Sequence, residues 1–296
     1  MQPEKIINIS QQQEPCAKSG PFPSPAARHL SQKLPVFNYH GIQAYGGEYV
    51  WEEAERPYVL SAGIFEAGLD QVAAGGFKTI GLEELSLWLQ GFPLGKPAML
   101  TFDDGTRSHF DHAAPLMKKK KMTGVFFIPA AWVGKNGYMG WSELKRLLAD
   151  GFEIGSHGMN HVPLTRLSAG ELEDELGRSK KILEDRLGIG ILGFSVPRGF
   201  YGRRIGKAAQ KAGYRFVFTS SFDLNSNGQD PFCLSRLSVR GMTSPEEFSR
   251  MLDGKLGIKK YREKIKGIAR GVLHPGIYDR LAAMKRKWRH DRGVSS

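Results

Sequence analysis

The chain has 296 residues, 41% of them apolar, so it can bury a sizeable core and is not a uniformly disordered polymer. Its 42 basic against 30 acidic residues leave a net charge of +12, which favours anionic partners. The basic runs at 118–122 and 285–292 read as solvated faces or tails. No aromatic interleaving, zinc-finger spacing or RNA-binding signature accompanies them, so nucleic acid is not an expected partner, while peripheral contact with an anionic surface stays open. The two cysteines, Cys16 and Cys233, lie far apart and have no partner motif, which argues against a disulfide framework or a Cys-based metal site. The N-terminus lacks the apolar core of a signal peptide and no apolar run approaches a membrane span, so the expectation is a cytoplasmic protein without a transmembrane segment.

Residues 1–34 are rich in Gln, Pro, Ser and Ala and are expected to form a poorly ordered arm. From Leu34 the texture changes. A short apolar strand ends at Tyr39 and His40. Helical spacing follows over 64–77, with Phe65, Leu69 and Val72 on one face, and a second short helix ends at Gly91. Strands at 98–102, 124–129, 152–157, 191–197 and 214–220 then alternate with helices at 113–122, 141–151, 168–188 and 202–213. Ser168 and Glu171 form a capping box at the start of the longest helix, with Leu167 available as a staple. Ser244, Pro245 and Glu247 mark the start of a helix over 244–252. A last strand is expected at 271–275. The tail 281–296 is basic.

Repeated β–α units with apolar strands imply a parallel sheet covered by helices. About seven or eight strands suit a (β/α) barrel better than an open sheet, and chemistry in such barrels gathers at the C-terminal strand ends. The polar residues fall there: His40, Asp103 and Asp104, His157, Pro197 and Arg198, and His274.

The stretch TFDDG, 101–105, places two acids side by side at a strand end. SHGMNH, 156–161, spaces His157 and His161 by four, which puts two imidazoles on one side of a turn. On its own that spacing is a weak metal signal. Beside a strand-end acid pair it becomes a His2Asp set with an open coordination position, the arrangement of a catalytic rather than a structural site. Metal-assisted hydrolysis also needs a base for the attacking water and an acid for the leaving group. One carboxylate of the pair can bind metal while the other serves as base, and His274 is a candidate acid. Taken singly, His274 reads better as a buried histidine bonded to backbone.

These motifs, with FSVPRG at 194–199 and LHPG at 273–276, occur in the order of the polysaccharide deacetylase family, the NodB-homology domain of carbohydrate esterase family four. The resemblance runs from about residue 36 to 279 and places the domain at 35–280. It implies an α/β fold of the distorted (β/α)7 barrel type and metal-dependent removal of N-acetyl groups from the amino sugars of a poly- or oligosaccharide. By position, Asp103 resembles the catalytic base, Asp104, His157 and His161 the metal ligands, His274 the general acid and Leu273 a wall of the acetyl pocket. The metal implied is zinc, with cobalt or nickel as alternatives. The amide near Thr106 is implied as an oxyanion donor.

Two departures stand out. Many relatives carry an arginine two residues before the Pro197 equivalent, paired with the base, and this chain has Ser195. Arg198 is the expected substitute, reaching Asp103 from the other side or contacting substrate, and without the ordinary pairing Asp103 is expected to hold its proton more tightly. The fourth motif is blurred, with Asp223 beside Phe222 its best match and Arg236 expected to support the site residues from behind. Two further readings remain at this stage: a deacetylase or deformylase of a lipid- or nucleotide-linked sugar, and a carbohydrate-binding relative that has lost catalysis.

Overall fold

The computed structural model describes residues 32–261, apart from 45, 46, 48, 50, 54 and 259. His274, Leu273, the strand expected at 271–275 and the basic tail lie outside the described residues.

In chain order the elements are β1 (Lys33–Leu34), β2 (Val36–Tyr39), β3 (Gly41–Gln43), β4 (Val59–Ser61), α1 (Ala62–Ala74), β5 (Lys78–Thr79), α2 (Leu82–Leu89), β6 (Pro97–Phe102), α3 (Ala114–Lys119), β7 (Val125–Ile128), α4 (Trp141–Ala149), β8 (Glu153–Ser156), α5 (Ala169–Leu187), β9 (Gly193–Ser195), α6 (Arg203–Lys211), β10 (Phe216–Phe218), β11 (Asn225–Ser226), β12 (Leu237–Ser238) and α7 (Pro245–Leu252). The main sheet is parallel and runs β10-β9-β8-β7-β6-β2-β12, with β5 also paired to β6. The segment 231–236 bonds to β10 through Val217 N–H to Pro231 O and Leu234 N–H to Val217 O, then enters β12 beside β2. That segment brings the two ends of the sheet together and curls it into the expected barrel-like α/β form.

Parallel strands covered on both faces must be apolar on both faces, and all six residues of β6 are buried. One face packs on the surrounding helices, with Phe102 stacked on Tyr39 and Phe126 at centroid distances of 5.3 and 4.6 Å. The opposite face forms a second cluster with Val36, Met99, Val125, Phe127, Phe218 and Leu234, closed at one end by Leu82, Leu85 and Trp88 of α2. Side chains in a strand alternate between faces. Two residues beyond Val36, Gly193 and Leu234 on the same face come Asn38, Ser195 and Arg236, and two beyond Thr101 comes Asp103. The interior thus changes from apolar to polar at the C-terminal strand ends.

Several expectations are revised. Leu34, assigned to the arm, is fully buried and pairs with Asn225 through β1 and β11. The helix expected at 113–122 is confined to Ala114–Lys119 and is entered through a π-helical turn, His109–Ala113. Cys233 is buried, and Cys16 lies outside the described residues. The lysine run is a solvated face with partners: Lys118 pairs with Asp150 at 2.5 Å, and Lys120 with Asp70. Among the described residues no helix is long and apolar enough to cross a membrane.

Candidate metal centre and its acid pair

Asp103 continues the line of β6, its N–H bonded to Tyr39 O at 3.0 Å, so its side chain turns into the barrel. The chain then reverses. Asp104 and Gly105 take left-handed conformations, with φ of 73° and 65°. For Asp104 that costs on the order of 1 kcal/mol. Gly105 suits the turn on two counts, since it adopts the positive φ without strain and a Cβ there would crowd Ile128 Cδ1 at 3.0 Å. The turn separates the two acids. Asp103 faces inward, and Asp104 faces the histidines on the neighbouring loop.

Asp104 Oδ1 lies 3.4 Å from His157 Nε2 and 3.3 Å from His161 Nε2. These three residues place one ligand atom each within 4.8 Å of the others, the one such His/Cys/Asp/Glu group among the described residues. His157 is buried, and its Nδ1 donates to Ser195 O at 2.8 Å, which leaves Nε2 as the lone-pair nitrogen aimed at Asp104. Asp104 Oδ1 is buried with no hydrogen-bond partner. A buried, unpaired carboxylate oxygen between two imidazole nitrogens is costly as it stands and is what a cation would satisfy. The residues therefore fit a divalent metal, and two nitrogens with one oxygen is a zinc-type donor set.

The loop carrying the histidines is tied at both ends. His157 N–H bonds to Ile128 O at 2.9 Å, and Gly158 O and Met159 O accept from Ala130 and Ala131. Glu175 of α5, 5% exposed, accepts from Met159 N–H, Asn160 N–H and Asn160 Nδ2–H at 2.8, 2.6 and 2.9 Å. His161, like Asp104, has a positive φ, 57°. Two of the three candidate ligands thus sit in backbone conformations that L residues seldom adopt, held by surrounding bonds. The His161 ring packs on Trp132 at 4.9 Å, and Trp132 on Tyr138 at 4.8 Å.

Asp103 has a different environment. Arg236 NH1 donates to its Oδ1 and NH2 to its Oδ2, both at 2.8 Å, and Asn38 Nδ2 donates to Oδ2 at 3.2 Å. Arg236 is 1% exposed and Asp103 3%. This corrects the expectation for Arg198. The guanidinium on Asp103 comes from Arg236, while Arg198 is exposed, with φ 57°, in the 3-10 turn Pro197–Gly199. The expected rise in the Asp103 pKa is overturned with it. Burial opposes the charged form, but Arg236, with His157 beyond it, holds the carboxyl well below the usual carboxylate range. Asp104 is also held low: burial again opposes, and close contact with His157 together with the nearby His40 and His161 prevails. Burial likewise works against charged His157, yet the two aspartates keep it above its ordinary value, whereas burial and neighbouring His157 push His161 down to about 4.

The remaining candidates are distributed around this centre. Pro197 is buried against the histidine loop, 3.6 Å from where a Cβ on Gly158 would stand. Thr106 lies opposite Tyr138 in an isolated bridge, its hydroxyl 2.8 Å from Ser108 Oγ. His40 packs on Tyr58 at 5.0 Å, and its carbonyl is bonded by the buried ring of His109. In the blurred fourth motif, Asp223 pairs with Lys260 at 2.8 Å, and Phe222 is packed in the core. Sequence reading missed Asn38 and Glu175. Alternation from Val36 could have placed Asn38 on the interior face, whereas Glu175 carries no signal distinguishing it from the other acids of an amphipathic helix.

The curled parallel sheet thus carries a His2Asp cluster and an arginine-held acid at its C-terminal edge. Residues 93–217 match the polysaccharide deacetylase family. The chain is 27% identical over 223 residues to the Bacillus subtilis protein YxkH, covering 75% of this chain and 76% of that one. It is 32% identical over 122 residues to a peptidoglycan-N-acetylglucosamine deacetylase of Bacillus cereus, covering 41% of this chain and 55% of the relative. Its fold matches that of the Streptococcus pyogenes deacetylase PplD, with a TM-score of 0.68, 21% identity, and coverage of 75% of this chain and 99% of the other. The likeness to the polysaccharide deacetylase family thus covers residues 93–217, and the likeness of fold about three quarters of the chain.

Proposed function

We propose that this protein hydrolyses N-acetyl groups on the amino sugars of a poly- or oligosaccharide in a metal-dependent reaction, releasing acetate and a free amine. The observation that carries the proposal is the convergence of Asp104, His157 and His161 on one buried, unpaired oxygen, next to an ionised Asp103 held separately. Asp104, His157 and His161 would hold the cation, zinc suiting the donor set and cobalt or nickel being substitutes. When bound, it would supply Lewis-acid polarisation of the acetamide carbonyl and of the attacking water.

Asp103 accepts a proton from that water as the water oxygen bonds to the carbonyl carbon. The turn at Asp104 and Gly105 keeps this base apart from the ligand, so the like charges divide two tasks. The backbone N–H of Thr106 donates to the carbonyl oxygen as charge develops there. The C–N bond then breaks and the amine leaves with a proton. His274 is assigned as the donor of that proton and Leu273 as an acetyl-pocket wall on their sequence motif alone. Pro197 packs against the histidine loop, and Arg198 is assigned to substrate contact on its sequence motif alone.

Acetate release from N-acetylated chitooligosaccharide and from peptidoglycan tests the proposal. The Asp103→Asn variant is expected to bind zinc as the wild type does and to release no acetate. Acetate release at the wild-type rate from that variant would remove Asp103 as the base.

A further inference from the structure

We propose that Arg236, braced by Asn38, is the positioning residue that aims the Asp103 base, in place of the arginine expected at position 195. The inference rests on the deacetylase reading above and concerns how its base is oriented.

All five N–H donors of the guanidinium are committed. Nε donates to Thr219 O at 3.0 Å, NH1 to Asp103 Oδ1 at 2.8 Å and Asn38 Oδ1 at 3.1 Å, and NH2 to Asp103 Oδ2 at 2.8 Å and Ser195 Oγ at 2.9 Å. The Arg236 backbone N–H is fixed as well, to Ser221 O at 2.9 Å. Its guanidinium also lies 5.9 Å from the centre of the Phe127 ring. A fork with every prong occupied cannot rotate without breaking buried bonds.

The count on the carboxylate is equally restrictive. An ionised carboxylate offers about four acceptor sites. Oδ2 takes bonds from Arg236 and Asn38, and Oδ1 takes one from Arg236. One site remains, on Oδ1. The clamp therefore selects Oδ1 as the oxygen that accepts the proton and fixes the plane in which it does so. Lysine, with one nitrogen, could neutralise Asp103 but not choose between its oxygens.

Ser195 makes the substitution possible. Its small side chain, buried in β9, leaves room for a guanidinium arriving from 236, and its hydroxyl accepts one of the prongs. Its carbonyl meanwhile accepts from the metal-side His157. Residue 195 thus touches both halves of the centre. An arginine there would compete with Arg236 for the same carboxylate, so one guanidinium is accommodated and its strand of origin is exchangeable.

The test uses the full chain with zinc and acetate release as the readout. Arg236→Ser and Arg236→Lys are expected to lower kcat by about 100-fold, the scale of a misoriented catalytic group, with KM and zinc affinity changed by less than about threefold. The double variant Ser195→Arg with Arg236→Ser is expected to recover at least about tenfold of that loss. Asn38→Leu, which keeps the arginine pair and removes one arm, is expected to lower kcat by roughly tenfold and guards against misfolding of the Arg236 variants. Arg236→Lys with full kcat would overturn the proposal. So would loss of zinc affinity in parallel with kcat, or a double variant no better than Arg236→Ser. If Asp103→Asn stays active, the base assignment itself is wrong. If Asp103→Asn is inactive while Arg236→Lys is fully active, only the clamp is wrong.

Discussion

Glu175 connects the long helix α5 to the candidate metal centre, and its removal separates structural from metal-positioning roles. Its carboxylate takes three hydrogen bonds from Met159 and Asn160, the two residues that follow His157-Gly158 and precede His161. In Glu175→Ala, two backbone N–H groups lose their acceptor. A buried donor left unpaired costs about 1–3 kcal/mol. Asn160 is exposed, so water takes up part of the demand, and a total loss of about 2–3 kcal/mol in stability is expected. The loop then relaxes away from the positive φ at His161, and the third ligand loses its preset direction. Partners of this kind typically contribute 10–100-fold to metal affinity, or about 1.4–2.7 kcal/mol. Competition titration with a zinc chelator measures the affinity directly, and melting of metal-free and zinc-loaded protein gives the stability term and the linkage between them. Zinc affinity within twofold of wild type, accompanied by the full stability loss, would show that Glu175 supports only the fold and that His161 is oriented by other contacts.

Three other outcomes are expected. Exhaustive chelation abolishes acetate release, zinc restores it, and Asp104→Ala shows neither zinc binding nor recovery. Burial depresses the His109 pKa from 6.5 to about 4. Above pH 6.5 the ring is neutral folded and unfolded and contributes nothing; as pH falls from 6.5 towards 4, only the unfolded chain takes up the proton, so stability declines by as much as about 3 kcal/mol. Urea unfolding between pH 7 and 4.5 should show that decline, and His109→Gln should flatten it. Ser168→Ala removes the side-chain acceptor for Glu171 N–H at the start of α5 and should cost about 1 kcal/mol in urea unfolding while kcat is unchanged.

Local chemistry accounts for what was legible in the sequence. The alternation of apolar runs with amphipathic stretches marks strands and helices because burial on a sheet and on a helix face have different periods. Ser168 with Glu171 and Ser244 with Glu247 announce helix starts because the capping bonds span three residues. Asp103 and Asp104 stand out because they are adjacent, and His157 and His161 because four residues make one turn of chain. What stayed hidden was partnership across distance. The pairing of Asp223 with Lys260 is of that kind.

The sequence by itself determined the order of elements, the two acids at a strand end and the paired histidines, since each depends on residues a few positions apart. The tertiary structure alone decided what each acid faces. Asp103 meets Arg236 across 133 positions and Asn38 across 65, because a curled parallel sheet gathers strand ends by their place in the sheet and not by their place in the chain. The left-handed turn at Asp104 then sends the second acid to the histidines instead. Arg198, near in sequence to the vacant arginine position, lies on an exposed turn, while Arg236, 41 positions from Ser195, reaches the carboxylate from inside the barrel.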